Sequence, residues 1–254
     1  MLAMGGDANA QNRLGLRFAI GNAVPRDFVQ AASWWRRAAD QGNAEAQYRL
    51  GVLHVKALGV PQHEAQAAVW YRKAAEQGHC GAQFNLGVLY DLGRGVPKDH
   101  EQAARWYREA AERGNRHAEH NLGFCYFHGE GVAQDFAQAA QWWRRAAGQG
   151  DASAQSHLGF QYHTGRGVSQ DFKQAAAWYL KAAHQGDAYA QFYLGMLYEH
   201  GHGVQKHLRA ASWWYRQAAA QGLAGAQSRL DRLNERQRPE YQSGDRVARS
   251  VTVH

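Results

Sequence analysis

The stretch NAEAQYRLGVLHVKALGVPQHEAQAAVWYRKAAEQG, residues 43–78, decides the fold because the chain repeats its pattern. Glycines recur every 36 residues in two registers, at Gly15, Gly51, Gly87, Gly123, Gly159 and Gly195, and at Gly42, Gly78, Gly114, Gly150, Gly186 and Gly222. A fixed period of this length is typical of stacked supersecondary units. The two registers delimit six repeats, at about 7–42, 43–78, 79–114, 115–150, 151–186 and 187–222.

Two helices are predicted in each repeat. Asn43 can cap the first, which places Ala46, Leu50 and the aromatic position of His54 on one face. A G-x-G-V turn follows, and an Asp with a Gln three residues later then has capping-box spacing for a second helix. That helix carries an aromatic pair such as Trp70-Tyr71. A hairpin of this kind cannot bury its aromatic face alone, so the repeats must stack into an all-α solenoid.

Composition and length agree with one elongated helical domain. The 254 residues include only four Pro, and nine Trp and twelve Tyr supply apolar surface for a continuous core. A net charge of +7 makes an acidic partner a reasonable expectation. No stretch approaches the length of a membrane span. The start, MLAMGG, is too short for a signal peptide, so the location is open between cytoplasmic and, had an export signal been removed, periplasmic.

The repeated residues resemble those of the Sel1-like repeat family, relatives of tetratricopeptide repeats. The match is A-x-A-Q-x-x-L-G-x-x-Y, G-x-G-V-x-x-D and A-x-x-W-Y-x-x-A-A-x-x-G, in register through six repeats. The resemblance implies a right-handed superhelix whose first helices line a concave surface, and a bacterial protein that binds other proteins. Residues 223–236 are expected to cap a solenoid spanning 7–236, followed by a disordered basic tail at 237–254. Ala23, Ala57, His63 and His207 depart from the pattern, which questions the tightness of their turns.

Positions that do not repeat are the candidates for partner binding. On the first helices of repeats 4 to 6 they carry aromatic, imidazole and amide side chains, namely His117, Asn121, Phe124, His128, His157, Phe160, Tyr189, Tyr193, Met196 and His200. Exposed aromatic residues often anchor interfaces. A second interpretation stays open for one apolar row, which can instead pack between helices: Leu16, Val52, Val88, Phe124, Phe160 and Met196.

Three other sets of residues carry weaker signals. An arginine ladder on the second helices (Arg36, Arg72, Arg108, Arg144 and Arg216) could meet an acidic face or nucleic acid. Arginine stems that cover aromatic rings explain the ladder better, so nucleic-acid binding is not favoured. His117 and His120 have metal-ligand spacing but no further ligand one turn away, and we predict neither a metal nor a cofactor. Cys80 and Cys125 are expected to be free thiols.

The leading functional prediction is a noncatalytic scaffold or adaptor that binds a protein or peptide in a concave groove. No Walker motif and no nucleophile paired with a base can be identified, so no enzymatic activity is predicted. The resemblance adds two narrower alternatives. One is an immunity protein that neutralises a secreted toxic effector such as a phospholipase. The other, disfavoured by the presence of only two cysteines, is a β-lactam-hydrolysing Sel1-like enzyme.

Overall fold

The computed structural model describes residues 6–237, with side chains through residue 235, and this part of the chain contains thirteen helices and no strand. In chain order the helices are Ala8–Ile20 (α1), Phe28–Asp40 (α2), Ala44–Lys56 (α3), Glu64–Glu76 (α4), Cys80–Leu92 (α5), His100–Glu112 (α6), Arg116–His128 (α7), Phe136–Gly148 (α8), Ala152–Thr164 (α9), Phe172–His184 (α10), Ala188–His200 (α11), Leu208–Ala220 (α12) and Ala224–Gln237 (α13). The predicted all-α class with two helices per repeat is confirmed. The predicted basic tail, apart from the last residue of α13, lies outside the described residues.

The helices form two compact units, one through Trp142 and one from Trp143. In the first unit, successive helices from α1 to α7 pack against one another, within repeats and between them. In the second unit the same order holds from α9 to α13. Helix α13 is the first helix of a seventh repeat, and it buries Leu230 and Leu233 against Ala211 and Tyr215. This is the capping half-repeat that the sequence predicts.

The repeated glycine of the first helix is a packing requirement. A Cβ atom at Gly87 would lie 2.8 Å from the ring of Tyr107 on the second helix of the same repeat. Tyr107 is 1% exposed, so its ring has no room to move away. Gly51 stands in the same relation to Tyr71, at 2.5 Å. The glycine and the second aromatic of the pair therefore form a close contact of this kind in repeats 1, 2, 3, 5 and 6.

Helix capping follows the prediction, with one correction. The side chain of Asp99 accepts a hydrogen bond from the backbone N–H of Gln102 at 3.0 Å, as a capping box requires. However, the N–H of Asp99 donates to the carbonyl of Tyr90 at 3.0 Å, so the reciprocal bond to the glutamine side chain is replaced by a tie between the two helices.

The residues that depart from the pattern keep the turns closed. His63 caps α4 by accepting from the N–H of Gln66 at 3.1 Å through Nδ1, and His207 caps α12 in the same way. Ala57 adopts the left-handed conformation, with φ of 54°, where most other repeats have glycine. The left-handed region disfavours a Cβ by about 1 kcal/mol, so the turn is retained at a local cost.

A glutamine ladder, which the sequence analysis did not identify, links the repeats. Gln47 is buried and donates through Nε2 to the carbonyl of Ala39, near the end of the preceding second helix, at 3.1 Å. Gln77 then donates to Oε1 of Gln47 at 2.8 Å. The pairs Gln11–Gln41, Gln155–Gln185 and Gln191–Gln221 repeat this bond. The ladder adds a buried side-chain donor to helix C-terminal carbonyls such as that of Ala39, which also accepts from the backbone N–H of Gly42.

Cys80 and Cys125 are free thiols, as predicted. Among the described residues, each helix is too short or too polar to cross a membrane.

Candidate partner-binding surfaces

In the first unit, α7 presents three of the four predicted residues to solvent. His117, Phe124 and His128 are exposed, and Phe124 keeps 38% of its surface accessible. The rings of Phe124 and His128 lie 4.2 Å apart, and His117 contacts Phe84 of α5 at 5.9 Å. Helices α5 and α7 are therefore neighbours, and α7 displays an imidazole in its first turn and an aromatic and a second imidazole in its last turns.

Asn121 has a different environment from the other three. It is half-buried and its side chain lies near the hydroxyl of Tyr107, as that of Asn85 lies near Tyr71 one repeat earlier. Both asparagines also border cavities between repeats. Asn121 therefore has a packing role that leaves less of it available to a partner.

In the second unit, Tyr189 and His200 of α11 are the two exposed members of the predicted set. Tyr189 is 63% exposed. Nδ1 of His200 lies 2.9 Å from the carbonyl oxygen of Met196, and since a carbonyl only accepts, Nδ1 carries the proton. The ring of His200 also stacks on that of His202 at 5.5 Å. Both exposed residues can contact a partner without rearrangement of the helix.

The remaining predicted residues of the second unit are half-buried and packed. His157 stacks on Trp143 at 4.5 Å, and Tyr193 stacks on Tyr179 at 5.4 Å. Phe160 contacts Tyr193 at 6.0 Å, and Met196 packs against the core around Tyr215. The packing interpretation of the apolar row accounts for its half-buried members, which are Leu16, Val52, Val88, Phe160 and Met196. Phe124 is the exposed exception.

Several exposed apolar residues are not among the predicted site residues, and three of them are Ile20, Leu92 and Trp213. Ile20 is 60% exposed and Leu92 is 56% exposed, each at the last position of a first helix. His128 and His200 occupy the same position in their repeats. Trp213 of α12 is 49% exposed and precedes the in-register pair of its helix. A third aromatic beside a repeating pair was the available signal, since the repeat itself accounts for only two.

The arginine ladder is engaged in contacts between repeats. Arg36 lies over the ring of Trp70 at 4.9 Å. Arg108 lies over the ring of Tyr126 at 5.9 Å and donates to its hydroxyl at 2.7 Å. Arg144 donates to the hydroxyl of Tyr162 at 3.1 Å. These contacts support the structural interpretation of the ladder over nucleic-acid binding.

The described residues thus define an all-α protein built from stacked helical hairpins. The Sel1 repeat model matches residues 8–43, 44–79, 81–115, 116–151, 152–187 and 188–223. The chain therefore belongs to the Sel1 repeat family, as its sequence motifs predict.

Two solved structures are similar over most of the chain. A protective antigen present in uropathogenic Escherichia coli strains, which displays the SLR fold, is 41% identical with a TM-score of 0.84. That match covers 90% of this chain and 49% of the antigen, so the present chain spans about half of the antigen's length. A Sel1 repeat protein from Oxalobacter formigenes is 34% identical with a TM-score of 0.72, covering 84% of this chain and 85% of that one. No curated protein matched the chain.

Proposed function

We propose that the protein is a noncatalytic binding module whose protein or peptide partner contacts the exposed, non-repeating side chains of the first helices. Sel1 repeat proteins generally mediate protein–protein interactions. One contrast carries the proposal for this chain. The second aromatic of the repeating pair is buried, for example Tyr107 at 1% and Tyr215 at 0% exposure. Tyr189, which is out of register, is 63% exposed and is not required for stacking.

Two surfaces follow from this contrast. The first-unit surface consists of Leu92, His117, Phe124 and His128, and the second-unit surface consists of Tyr189 and His200. Aromatic side chains lose little conformational entropy when they are buried by a partner, which makes Phe124 and Tyr189 the expected anchors. Both belong to helices whose positions are fixed by buried Ala and Leu residues, so little ordering is needed on this side of the interface. The net charge of +7 favours an acidic partner.

The narrower predictions from the sequence have their own tests. Neutralisation of a secreted toxic effector such as a phospholipase would be tested by protection of cells that express a candidate effector encoded beside this protein. Hydrolysis of a β-lactam, the less favoured alternative, would be tested with a chromogenic cephalosporin.

Capture experiments with matched variants test the binding proposal. Tagged wild-type protein and the Phe124→Ala and Tyr189→Ala variants are used to capture proteins from native lysate, with quantitative mass spectrometry as the readout. Val69→Ala is the control, because Val69 is 48% exposed but lies on a second helix. Circular dichroism and thermal unfolding establish that all four proteins are equally folded.

We expect wild type and Val69→Ala to capture at least one protein that is depleted about tenfold or more with one of the two aromatic variants. The reason is that an interface anchor contributes about 2 kcal/mol or more to binding. Capture that is equal for all four proteins would refute the assignment of these surfaces.

A further inference from the structure

A small cavity lies in the first unit, where repeat 3 meets repeat 4. Its volume is about 240 Å³, and its walls include Asp91, Tyr107, Asn121, Cys125 and Glu130. Such a concentration of polar and ionisable groups is unusual at a junction between repeats that elsewhere are joined mainly by Ala, Leu and aromatic side chains. The partner-binding proposal makes no use of it.

We propose that Asp91, His100 and Glu130 bind a divalent transition-metal ion of the Zn²⁺ class. One ligand atom from each residue can be chosen such that all three lie within 4.8 Å of one another. Nδ1 of His100 is 3.0 Å from Oδ1 of Asp91, and all three residues are only partly buried, so an ion can reach them from solvent. An imidazole with two carboxylates suits zinc and related ions, whereas Mg²⁺ and Ca²⁺ prefer oxygen ligands alone.

The repeat architecture places the three residues together. Asp91 lies near the end of α5, His100 begins α6, and Glu130 occupies the turn after α7. The next residue, Gly131, has a φ of 69°, and a Cβ there would lie 1.9 Å from the carbonyl oxygen of His100. This close approach, which only glycine permits, fixes the turn of repeat 4 on the start of α6. Glu130 is thereby held beside His100.

The preceding junction shows that the fold does not require these residue types. There the equivalent cavity has a volume of about 330 Å³, and Val55 and Arg94 occupy the positions of Asp91 and Glu130. Glu64 takes the place of His100 and forms an ion pair with Arg94. At that junction the carboxylate of Glu64 is neutralised by the guanidinium of Arg94. At the junction of repeats 3 and 4, no lysine or arginine among residues 6–235 forms an ion pair with Asp91 or Glu130.

A buried thiol beside the carboxylates is a second, independent observation. Cys125 is 5% exposed and lines the cavity, and within the described residues its thiol has no side-chain hydrogen-bond partner. Asp91 and Glu130 line the same cavity, so two carboxylates and a sulfur atom share its wall. A bound cation would offset the repulsion between the two carboxylates, and a soft sulfur atom close by further favours a transition metal.

Binding requires only local movement. Tetrahedral zinc ligands at about 2.1 Å from the ion lie about 3.4 Å apart, so the three ligand atoms must close by at most roughly 1.4 Å. His100 now donates its Nδ1 proton to Asp91, because a carboxylate accepts. On binding, the neutral ring takes the tautomer protonated at Nε2, and Nδ1 and Oδ1 both turn their lone pairs to the ion. No net proton is released by the imidazole, and water completes the coordination from the cavity.

Titration of the full-length protein with Zn²⁺, and with Co²⁺ as a spectroscopic probe, tests the site. The decisive variant is Asp91→Val/His100→Glu/Glu130→Arg, which installs the residues of the preceding junction and is therefore expected to fold. Glu130→Gln is a second, minimal variant in case the triple variant does not fold. His200→Gln/His202→Gln is the control, because those stacked rings are the obvious adventitious zinc site.

We expect one Co²⁺ per chain with visible d–d absorption, retained in the control and lost or weakened in both site variants. Saturating Zn²⁺ should raise the melting temperature of wild type by about 5 °C or more, and leave that of the triple variant unchanged. Failure of wild type to bind either ion at millimolar concentration overturns the proposal. Unchanged binding by the site variants, or loss of binding in the control alone, overturns it equally.

Discussion

Arg113→Gln should stabilise the protein, because it completes the glutamine ladder at the one position in the first three repeats where the ladder is broken. Gln83 is 1% exposed and donates to the carbonyl of Ala75 at 3.1 Å, but its own Oε1 has no hydrogen-bond partner among the described residues. In repeats 1 and 2 the equivalent oxygen accepts from a glutamine 30 residues later, at 2.8 Å. In repeat 3 that residue is Arg113, whose guanidinium instead bonds to Glu109.

The magnitude follows from the two interactions that are exchanged. A buried acceptor without a partner costs about 1–3 kcal/mol, and a completed hydrogen bond contributes a net 0.5–1.5 kcal/mol. The Arg113–Glu109 pair is lost, but both side chains are more than 40% exposed, and an exposed i, i+4 pair contributes at most about 0.5 kcal/mol. We therefore expect a net gain of about 1 kcal/mol in the free energy of unfolding.

Urea denaturation measures this gain as a higher midpoint at unchanged m-value. Arg113→Ala removes the same ion pair without supplying a donor, so it should be neutral or slightly destabilising. Gln77→Arg introduces the break into repeat 2 and should cost about 1 kcal/mol. If Arg113→Gln is no more stable than Arg113→Ala, then Oε1 of Gln83 is already satisfied, for instance by water, and the reasoning is wrong.

Three further changes have expected outcomes. Gly87→Ala should lower the free energy of unfolding, measured by chemical denaturation, by about 1–3 kcal/mol, because the new Cβ would overlap a buried tyrosine ring. Gly148→Ala is the control: the space around its Cβ is open, so this change should be neutral or slightly stabilising. Equal effects of the two changes would contradict the packing argument. Burial lowers the pKa of His54 and of His163 below the ordinary 6.5, so the unfolded chain takes up protons at a higher pH than the folded one, and the free energy of unfolding should fall as the pH drops below about 6.5. The double variant His54→Tyr/His163→Phe should show a flatter dependence of this free energy on pH between 7 and 5. An unaltered slope would exclude these two residues as its source. His63→Asp should raise the midpoint of unfolding, because a carboxylate caps the helix and complements its dipole better than an imidazole does. The expected gain in the free energy of unfolding is about 0.5 kcal/mol. A lower midpoint would show that the imidazole makes a further contact.

The sequence was sufficient to predict those features of the fold that repeat. Gly51 and Tyr71 recur at one spacing, so their contact could be inferred as one event repeated along the chain. Helix caps such as Asn43 follow local rules that need no tertiary information. Exposure at a non-repeating position could not be inferred in this way. Phe124 and Phe160 occupy equivalent positions, yet the first is exposed and the second half-buried, because Phe160 has the ring of Tyr193 beside it.

The glutamine ladder and the proposed metal site share one geometric rule, which could have been read from the sequence. Gln77 contacts Gln47, and in four repeats the middle residue of the turn between the two helices lies beside the residue that starts the second helix of the preceding repeat, again 30 positions earlier. The latter pairs are complementary in chemistry: Leu58 with Phe28, Arg94 with Glu64, Glu130 with His100, and His202 with Phe172.

A 36-residue period predicts which positions are equivalent, but only the 30-residue offset predicts which side chains meet. Comparing residues i and i+30 along the chain would therefore have placed His100 beside Glu130. Asp91 would have remained hidden, since it lies nine residues before His100, across the turn between the two helices of its repeat. Residues that are unremarkable within their own repeats become a candidate site only when the next repeat is stacked on them.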